Sequence, residues 1–182
     1  MIGLASVVAG NALRGVTVQC DSPLTILVDS DVDEGGNRAA GHALRLLAGI
    51  GRPKAGKVRV FDRDPAADPV LRREIALLGD DALVDRGRPL DDAAIDVARI
   101  RGIESLSTRD QVTAFVGKET APDVARRRVA DELAAVARAR LVLVSYPERY
   151  VDPAERDALI ERIRAAILRG APVVLATSRL DD

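Results

Sequence analysis

Residues 141–176 read LVLVSYPERYVDPAERDALIERIRAAILRGAPVVLA, which is two short apolar runs with a longer mixed segment between them. The first run, 141–144, is apolar on both faces, as a buried parallel strand is, and 172–176 is a second run of this kind. Between them, Asp152-Pro153 is typical of a helix start and Gly170 of a helix end. This order of strand, helix and strand predicts an α/β domain with a largely parallel sheet.

The segments before residue 141 continue the alternation of strands and helices. Strands are predicted at 16–18, 24–28, 56–61 and 75–78, and a turn at Asp21-Ser22-Pro23 separates the first two. Helices are predicted at about 37–49, as a single turn at 68–74, and at 90–104, 108–117 and 121–139. The middle of the chain is therefore expected to be helical.

Composition excludes several classes of protein. Lys plus Arg number 27 and Asp plus Glu 28, so no overall field favours nucleic acid or an anionic membrane. The single cysteine, Cys20, excludes an internal disulfide and a Cys-based zinc site, and no apolar run approaches a membrane span. At 182 residues we expect one domain, 1–182, in the cytoplasm, which meets a membrane only through a protein partner.

Four stretches, taken together in order and spacing, resemble the ATPase domain of ATP-binding cassette (ABC) transporters. They are LRGVTV at 13–18, LRLLAGIGRPKAGKVRVFDRDP at 44–65, RRRVADELAAVARARLVLVSYPERYVDPAERDAL at 126–159, and PVVLATSRLDD at 172–182. The resemblance implies a P-loop-NTPase-like α/β fold: a parallel sheet flanked by helices, an antiparallel edge from the N-terminal strands, and a reduced helical lobe over about 84–120.

The phosphate-binding loop of that family is not retained. A working loop reads G-x-x-x-x-G-K-[ST], because backbone N–H groups, the Lys and the hydroxyl must together hold phosphate and Mg²⁺. Ala40 stands at the Lys position and Gly41 at the hydroxyl position. The loop before them carries four acids, and each close like-charge pair costs about 1 kcal/mol in water and roughly 4 kcal/mol at a dielectric of 20. These acids are Asp29, Asp31, Asp33 and Glu34. The sequence therefore predicts that this site repels ATP.

The other nucleotide-site positions that the resemblance implies have also changed. Asp80 stands where the family has the Gln of its Gln loop, residues 121–125 replace the signature motif, and Ser178 replaces the switch His. Ser145 and Tyr146 replace the Walker B Asp and the catalytic Glu. A phenol with a pKa of about 10 is a poor general base at neutral pH. We therefore expect no ATP hydrolysis, no catalytic residues and no bound cofactor.

Two hypotheses concern the acidic loop. Asp29, Asp31 and Asp33 resemble the start of a calcium loop, but the Gly at position six and the Glu at position twelve are missing, so they are a weak metal candidate. The simpler interpretation is a solvated loop near a helix N-terminus. Alternatively, Asp33 or Glu34 folds into the former phosphate site and caps its N–H groups.

The remaining polar candidates have mostly structural interpretations. His42 has no second His or Cys with which to bind a metal, and Cys20 ends an apolar strand, so both are expected to be structural. The basic run at 126–128 is expected to be a salt-bridged helix face rather than a nucleic-acid site. Tyr146 and Tyr150 are expected to fill the vacated nucleotide site.

The function that the resemblance implies is that of an inactive ABC-type subunit with a structural or regulatory role in a membrane-associated complex. A permease or a related ATPase subunit would be the partner, in a homo- or hetero-oligomer, and would dock near Asp80 and Asp81. Two alternatives remain open. The chain is an ATP-binding subunit whose site an intact partner completes, or it is a scaffold protein unrelated to transport.

Overall fold

A computed structural model describes residues 1–10, 12–29, 38–79, 84, 87–101, 103–117, 121–150 and 152–178. The strands are β1 (Ile2–Ala9), β2 (Leu13–Gln19), β3 (Leu24–Val28), β4 (Ala55–Val60), β5 (Ile75–Leu78), β6 (Leu141–Ser145) and β7 (Val173–Thr177). The helices are α1 (Ala39–Leu47), α2 (Pro69–Arg73), α3 (Leu90–Arg101), α4 (Arg109–Val116), α5 (Pro122–Leu133) and α6 (Pro153–Leu168). Short 3-10 helices span Glu104–Leu106, Val136–Arg138 and Pro147–Arg149. No helix in these ranges is both long enough and apolar enough to cross a membrane.

The central sheet is parallel, with the order β3-β7-β6-β5. Every residue of β5 and β6 is buried, which explains their continuous apolar sequence. Helix α6 covers one face of the sheet, and Leu159 and Ala166 of this helix are buried against it. The carboxyl ends of these strands therefore lie along one edge, where Asp29 and Tyr146 follow β3 and β6.

A second sheet is antiparallel, with the order β2-β1-β4. The sequence analysis missed β1, because Gly3 and the Ala5-Ser6 pair interrupt its apolar run, yet it is the central strand of this sheet. The N-terminal strands therefore form a sheet of their own. Its buried side chains pack with α1 and one face of the parallel sheet in one core that includes Val7, Leu44 and Leu143.

Helices α3, α4 and α5 pack around a separate core that includes Leu106, Val129 and Leu133. The helix predicted over 121–139 ends at Leu133, because Ala135 has left-handed backbone angles, with φ 52° and ψ 47°. Val129 and Leu133 face this core, whereas Val136 faces the core beneath α6. The chain must change direction between the two cores, and the turn at Ala135 makes that change.

Candidate functional site

The N-terminal end of α1 is closed by two side chains from distant parts of the chain. The N–H of Ala40 donates to Asp29 Oδ1 at 2.7 Å, and the N–H of Gly41 donates to the Tyr146 hydroxyl at 2.9 Å. That hydroxyl in turn donates to Asp29 Oδ2 at 2.7 Å. Asp29 is only 8% exposed and Tyr146 only 3%. Two amides that a helix N-terminus offers to an anion are therefore already occupied.

Local backbone geometry brings Tyr146 to this position. Its own backbone is left-handed, with φ 51° and ψ 71°, so the chain turns sharply as it leaves β6. Gly41 makes room for the ring, since a Cβ atom there would lie 2.7 Å from the phenol oxygen. Gly41, which the resemblance places at the family's hydroxyl position, thus leaves the space in which the tyrosine docks.

The surroundings of Tyr146 keep its hydroxyl protonated. Burial, together with the hydrogen bond to Asp29, raises the pKa of the phenol well above its ordinary value. The guanidinium carbons of Arg38 and Arg149 each lie 4.7 Å from the centroid of its ring. At neutral pH the phenol is therefore a donor to Asp29 and an acceptor from Gly41, and it is not a base.

A second tyrosine and aspartate pair lies on the other side of Pro147. The Tyr150 hydroxyl donates to Asp131 Oδ2 at 2.5 Å, and the N–H of Gly79 donates to Asp131 Oδ1 at 2.9 Å. The prediction that Tyr150 fills the former nucleotide site is therefore wrong. Tyr150 faces the buried carboxylate of α5 instead, which fixes the end of β5 to that helix.

Burial raises the pKa of Asp131 above its usual range, although the bonds from Tyr150 and Gly79 oppose this. The unfolded chain loses this proton near pH 3.9, whereas the folded chain keeps it to higher pH. The contribution of Asp131 to the free energy of unfolding is therefore complete below pH 3.9 and is lost as pH rises through the raised pKa.

Asp131→Asn should remove this part of the pH dependence. Urea unfolding of both proteins between pH 4 and 7 should show the wild type losing stability with rising pH relative to the variant. Asp110→Asn, at an exposed position of α4, is the matched control. A wild-type minus variant difference that stays constant with pH would show that Asp131 has the same pKa in both states.

Ser178, which the resemblance places at the switch position, is hydrogen-bonded to Glu148 in the turn after β6. The N–H and the hydroxyl of Ser178 donate to Glu148 Oε1 at 2.9 and 2.6 Å. Burial alone would raise the pKa of Glu148, but these bonds from Ser178 lower it below its usual value. Ser145 directly precedes Tyr146 at the end of β6, and neither a serine hydroxyl nor a protonated phenol is a general base at neutral pH.

A cavity of about 840 Å³ opens beside Tyr146 and Gly41. Among the residues that the structure describes, six Arg and Lys side chains and one carboxylate, Asp123, line it. The cations are Arg38, Arg45, Arg52, Lys54, Arg127 and Arg149. The described part of this lining is therefore basic, whereas the sequence predicts an acidic site; of the six cations, only Arg38 adjoins the acidic loop.

Several predicted site residues lie outside the described residues: Asp31, Asp33, Glu34, Asp80 and Asp81. The metal, capping and partner-docking hypotheses for them therefore stay predictions. Asp29 is bound to Ala40 and Tyr146, and no group of three His, Cys, Asp or Glu in the described ranges could hold a metal ion.

The structure gives no metal-binding or catalytic contact to three other candidates within the described residues: His42, Cys20 and the basic run of α5. His42 lines the cavity, and burial, helped by Arg45, lowers its pKa. Cys20 is a buried free thiol. Arg127 and Arg128 of α5 lie 3.5 and 4.0 Å from Glu155, which agrees with the predicted salt-bridged face.

Sequence reasoning missed Asp131 as the hydrogen-bond acceptor of Tyr150. Asp131 is a buried acid in α5, and no sequence pattern distinguished it from the other acids of that helix. It also missed the cavity cations, because Arg38 lies outside the quoted stretches and the resemblance assigns no role to Arg52 or Lys54.

Two curated relatives align with most of the chain. The daunorubicin/doxorubicin resistance ATP-binding protein DrrA of Streptomyces peucetius is 27% identical over 151 residues, which cover 76% of this chain and 46% of the relative. The Fe(3+) ions import ATP-binding protein FbpC of Streptomyces coelicolor is 29% identical over 149 residues, which cover 74% of this chain and 42% of the relative. The chain thus spans less than half the length of these relatives. No protein-family model matches it.

Solved structures share the fold over nearly the whole chain. The dimeric ATP-binding cassette MJ0796 superposes with a TM-score of 0.66 at 15% identity, covering 98% of this chain and 88% of that one. Its post-hydrolysis state with ADP and phosphate gives 0.65 at 13% identity, covering 99% of this chain and 88% of that one. An ATP-binding subunit of an ABC transporter superposes with a TM-score of 0.64 at 17% identity, covering 99% of this chain and 80% of that one.

The fold is that of an ABC ATPase cassette, and the predicted resemblance to the ABC ATPase domain family is confirmed. Both curated relatives are ATP-binding proteins by name. The absence of hydrolysis stays a prediction.

Proposed function

We propose that this chain is an ATP-binding cassette subunit of a transporter-type assembly, and that an intact partner cassette completes its nucleotide site. Its relatives by sequence are ATP-binding proteins, one named for drug resistance and one for import of Fe(3+) ions. The cassette MJ0796, which shares its fold, is a dimer. The assembly would lie at the inner face of the membrane and include a permease.

The proposal that this subunit depends on a partner rests on the N-terminus of α1, where two amides are already hydrogen-bonded. Ala40 and Gly41 cannot offer their N–H groups to phosphate while Asp29 and Tyr146 accept from them. No side chain at Ser145, Tyr146 or Ser178 supplies a base for the attacking water. ATP turnover by the assembly therefore depends on the partner cassette.

The isolated chain is expected to hydrolyse no ATP above the buffer rate, while a complex purified with its natural partner hydrolyses it. Phosphate release by both samples measures this. A photoreactive ATP analogue should label this chain in the complex, because the proposal makes it an ATP-binding subunit. Turnover by the isolated chain would contradict the proposal, and so would a stable complex that contains no second cassette.

A second candidate is a non-catalytic structural or regulatory subunit, and the Tyr146 and Asp29 network favours it because the network needs no ligand. In that case the analogue labels the partner alone. Tyr146→Phe separates the two functions further, since it frees the amide of Gly41 and leaves only the bond from Ala40 to Asp29 at the start of α1. If the variant chain is labelled more strongly than the wild-type chain, an ATP site that opens is supported. If neither chain is labelled, a regulatory subunit is supported.

A further inference from the structure

The β3 edge of the parallel sheet exposes a row of aliphatic side chains. Leu24, Ile26 and Val28 are 41%, 47% and 42% exposed, and we call these three residues the exposed row. Leu24 pairs with Val173 and Ile26 with Leu175 of β7, so the row lies on the face of the sheet that α6 covers at β6 and β7. A contiguous exposed apolar patch of this kind marks an interaction surface.

The exposed row also carries the outward backbone groups of this edge. The C=O of Pro23 accepts from Val173 at 2.8 Å, and the N–H of Asp29 donates to Thr177 at 3.0 Å, so both groups point towards β7. Successive residues of a strand turn their N–H and C=O groups to opposite sides. Every second residue from Pro23 to Asp29 therefore faces β7, and the N–H and C=O groups of the exposed row face outward. Among the described residues, no strand pairs with that outer side.

The other edge strands are protected against pairing with a further strand. Charged side chains stand on β2 and β4, namely Arg14, Lys57 and Arg59, and β5 is buried along its whole length. Natural sheets use charge and burial in this way to blunt their edges. Strand β3 reads Leu-Thr-Ile-Leu-Val, without charge or proline, and pairs with β7 without a bulge. Its outer edge is therefore open to a further β-strand.

A second copy of β3 fits this edge in one register. If two copies meet antiparallel with Ile26 opposite Ile26, Leu24 of each copy lies opposite Val28 of the other. Residues that lie opposite one another with outward backbone groups exchange both hydrogen bonds, so every outward N–H of the exposed row finds an outward C=O. Aliphatic side chains then meet on one face, and no charge on the strand opposes the contact.

We propose that two copies of this chain associate through β3 about a twofold axis at Ile26, which joins their parallel sheets into one continuous sheet. Such a contact uses the same surface on both copies and is closed. Strand β3 has only five residues, so the contact is smaller than a standard interface of about 1,600 Å² and the dimer is weak. The pairing needs neither nucleotide nor a partner cassette, so its failure would leave the proposed function intact.

Sedimentation velocity of the purified chain over a range of concentrations tests the inference. The wild type should change from monomer to dimer as its concentration rises. Ile26→Lys should raise the dissociation constant of the dimer at least about tenfold, because two ammonium groups would meet at the twofold axis. Ile100→Lys, at an exposed position of α3, is the matched control and should dimerise like the wild type.

Two double variants test the register. Leu24→Lys/Val28→Glu places a lysine opposite a glutamate at both ends of the strand pair, whereas Leu24→Lys/Val28→Lys places like charges there. The first variant should therefore dimerise at least about tenfold more tightly than the second. Within one copy the two positions are about 13 Å apart, so a pair inside the monomer does not produce this difference. Both positions are partly exposed, and thermal unfolding should confirm that both variants fold.

Amide hydrogen exchange locates the contact. At concentrations that favour the dimer, the amides of the exposed row should exchange at least about tenfold more slowly than in the dilute monomer. The amides of Thr25 and Leu27 already bond to β7 and should not change.

Three results would overturn the inference. A monomer at every concentration would point to a different chain as the cover of this edge. A dimer that Ile26→Lys leaves unchanged would place the contact elsewhere on the surface, and equal dissociation constants for the two double variants would exclude this register. The proposed function is tested separately, by turnover in the purified complex.

Discussion

Asp29→Ala should lower the free energy of unfolding by about 3 kcal/mol, since it removes two hydrogen bonds and leaves a buried amide and a buried hydroxyl unpaired. The amide belongs to Ala40 and the hydroxyl to Tyr146. For a chain of this length, the loss corresponds to a fall in Tm of about 6 to 12 °C. Urea unfolding and thermal unfolding both measure it.

Two further substitutions make this prediction specific. Asp29→Asn keeps an acceptor for Ala40, and the Tyr146 hydroxyl can then accept from the new amide, so the loss should be only about 1 kcal/mol. Asp157→Ala, at an exposed position of α6, should change stability by less than about 0.5 kcal/mol. If Asp29→Ala were as mild as Asp157→Ala, the network at α1 would not be a stable part of the fold.

Gly79→Ala should also destabilise the protein by about 3 kcal/mol. The backbone of Gly79 has φ +76°, which costs a residue with a side chain about 1 kcal/mol. In addition, a Cβ atom there would collide with the carbonyl oxygen of Ser145, and overpacking of this kind costs about 1 to 3 kcal/mol. A shift of β5 away from β6 would weaken the bond between Gly79 and Asp131.

Gly170→Ala is a matched control, because Gly170 has nearly the same φ, +78°, and no atom within 4 Å of the added Cβ. It should cost about 1 kcal/mol, from backbone strain alone. The difference between the two variants, about 2 kcal/mol, measures the collision and the weakened contact with Asp131. Equal losses would mean that β5 and β6 separate without cost at this end of the sheet.

These two predictions test one structural idea. The short segment from Tyr146 to Tyr150 holds two elements at once: Tyr146 caps α1 together with Asp29, and Tyr150 bonds to Asp131, which holds the end of β5. In the structure this arrangement occupies the amides of Ala40 and Gly41. Under the proposed function, an assembly that opens the site must move both Tyr146 and Asp29.

The parallel strands could be predicted from the sequence, because a strand buried on both faces leaves a continuous apolar run such as 141–144. Helix starts could be predicted as well. Asp68 and Asp152 accept bonds from nearby N–H groups, and Thr108 forms a capping box with Gln111. The sequence also predicts that positions 40 and 41 depart from the phosphate-loop motif, since that motif is local in sequence.

The sequence by itself therefore determined the order of strands and helices after β1 and the resemblance to ABC ATPases, and it predicts the loss of the phosphate-binding side chains. Only the tertiary structure decided what occupies that position. Asp29 and Tyr146 are 117 residues apart, and their contact depends on which strands are neighbours and on a left-handed turn at Tyr146. The basic cavity has the same origin, because its cations meet only when remote segments pack together, and no periodic pattern in the chain encodes such a meeting.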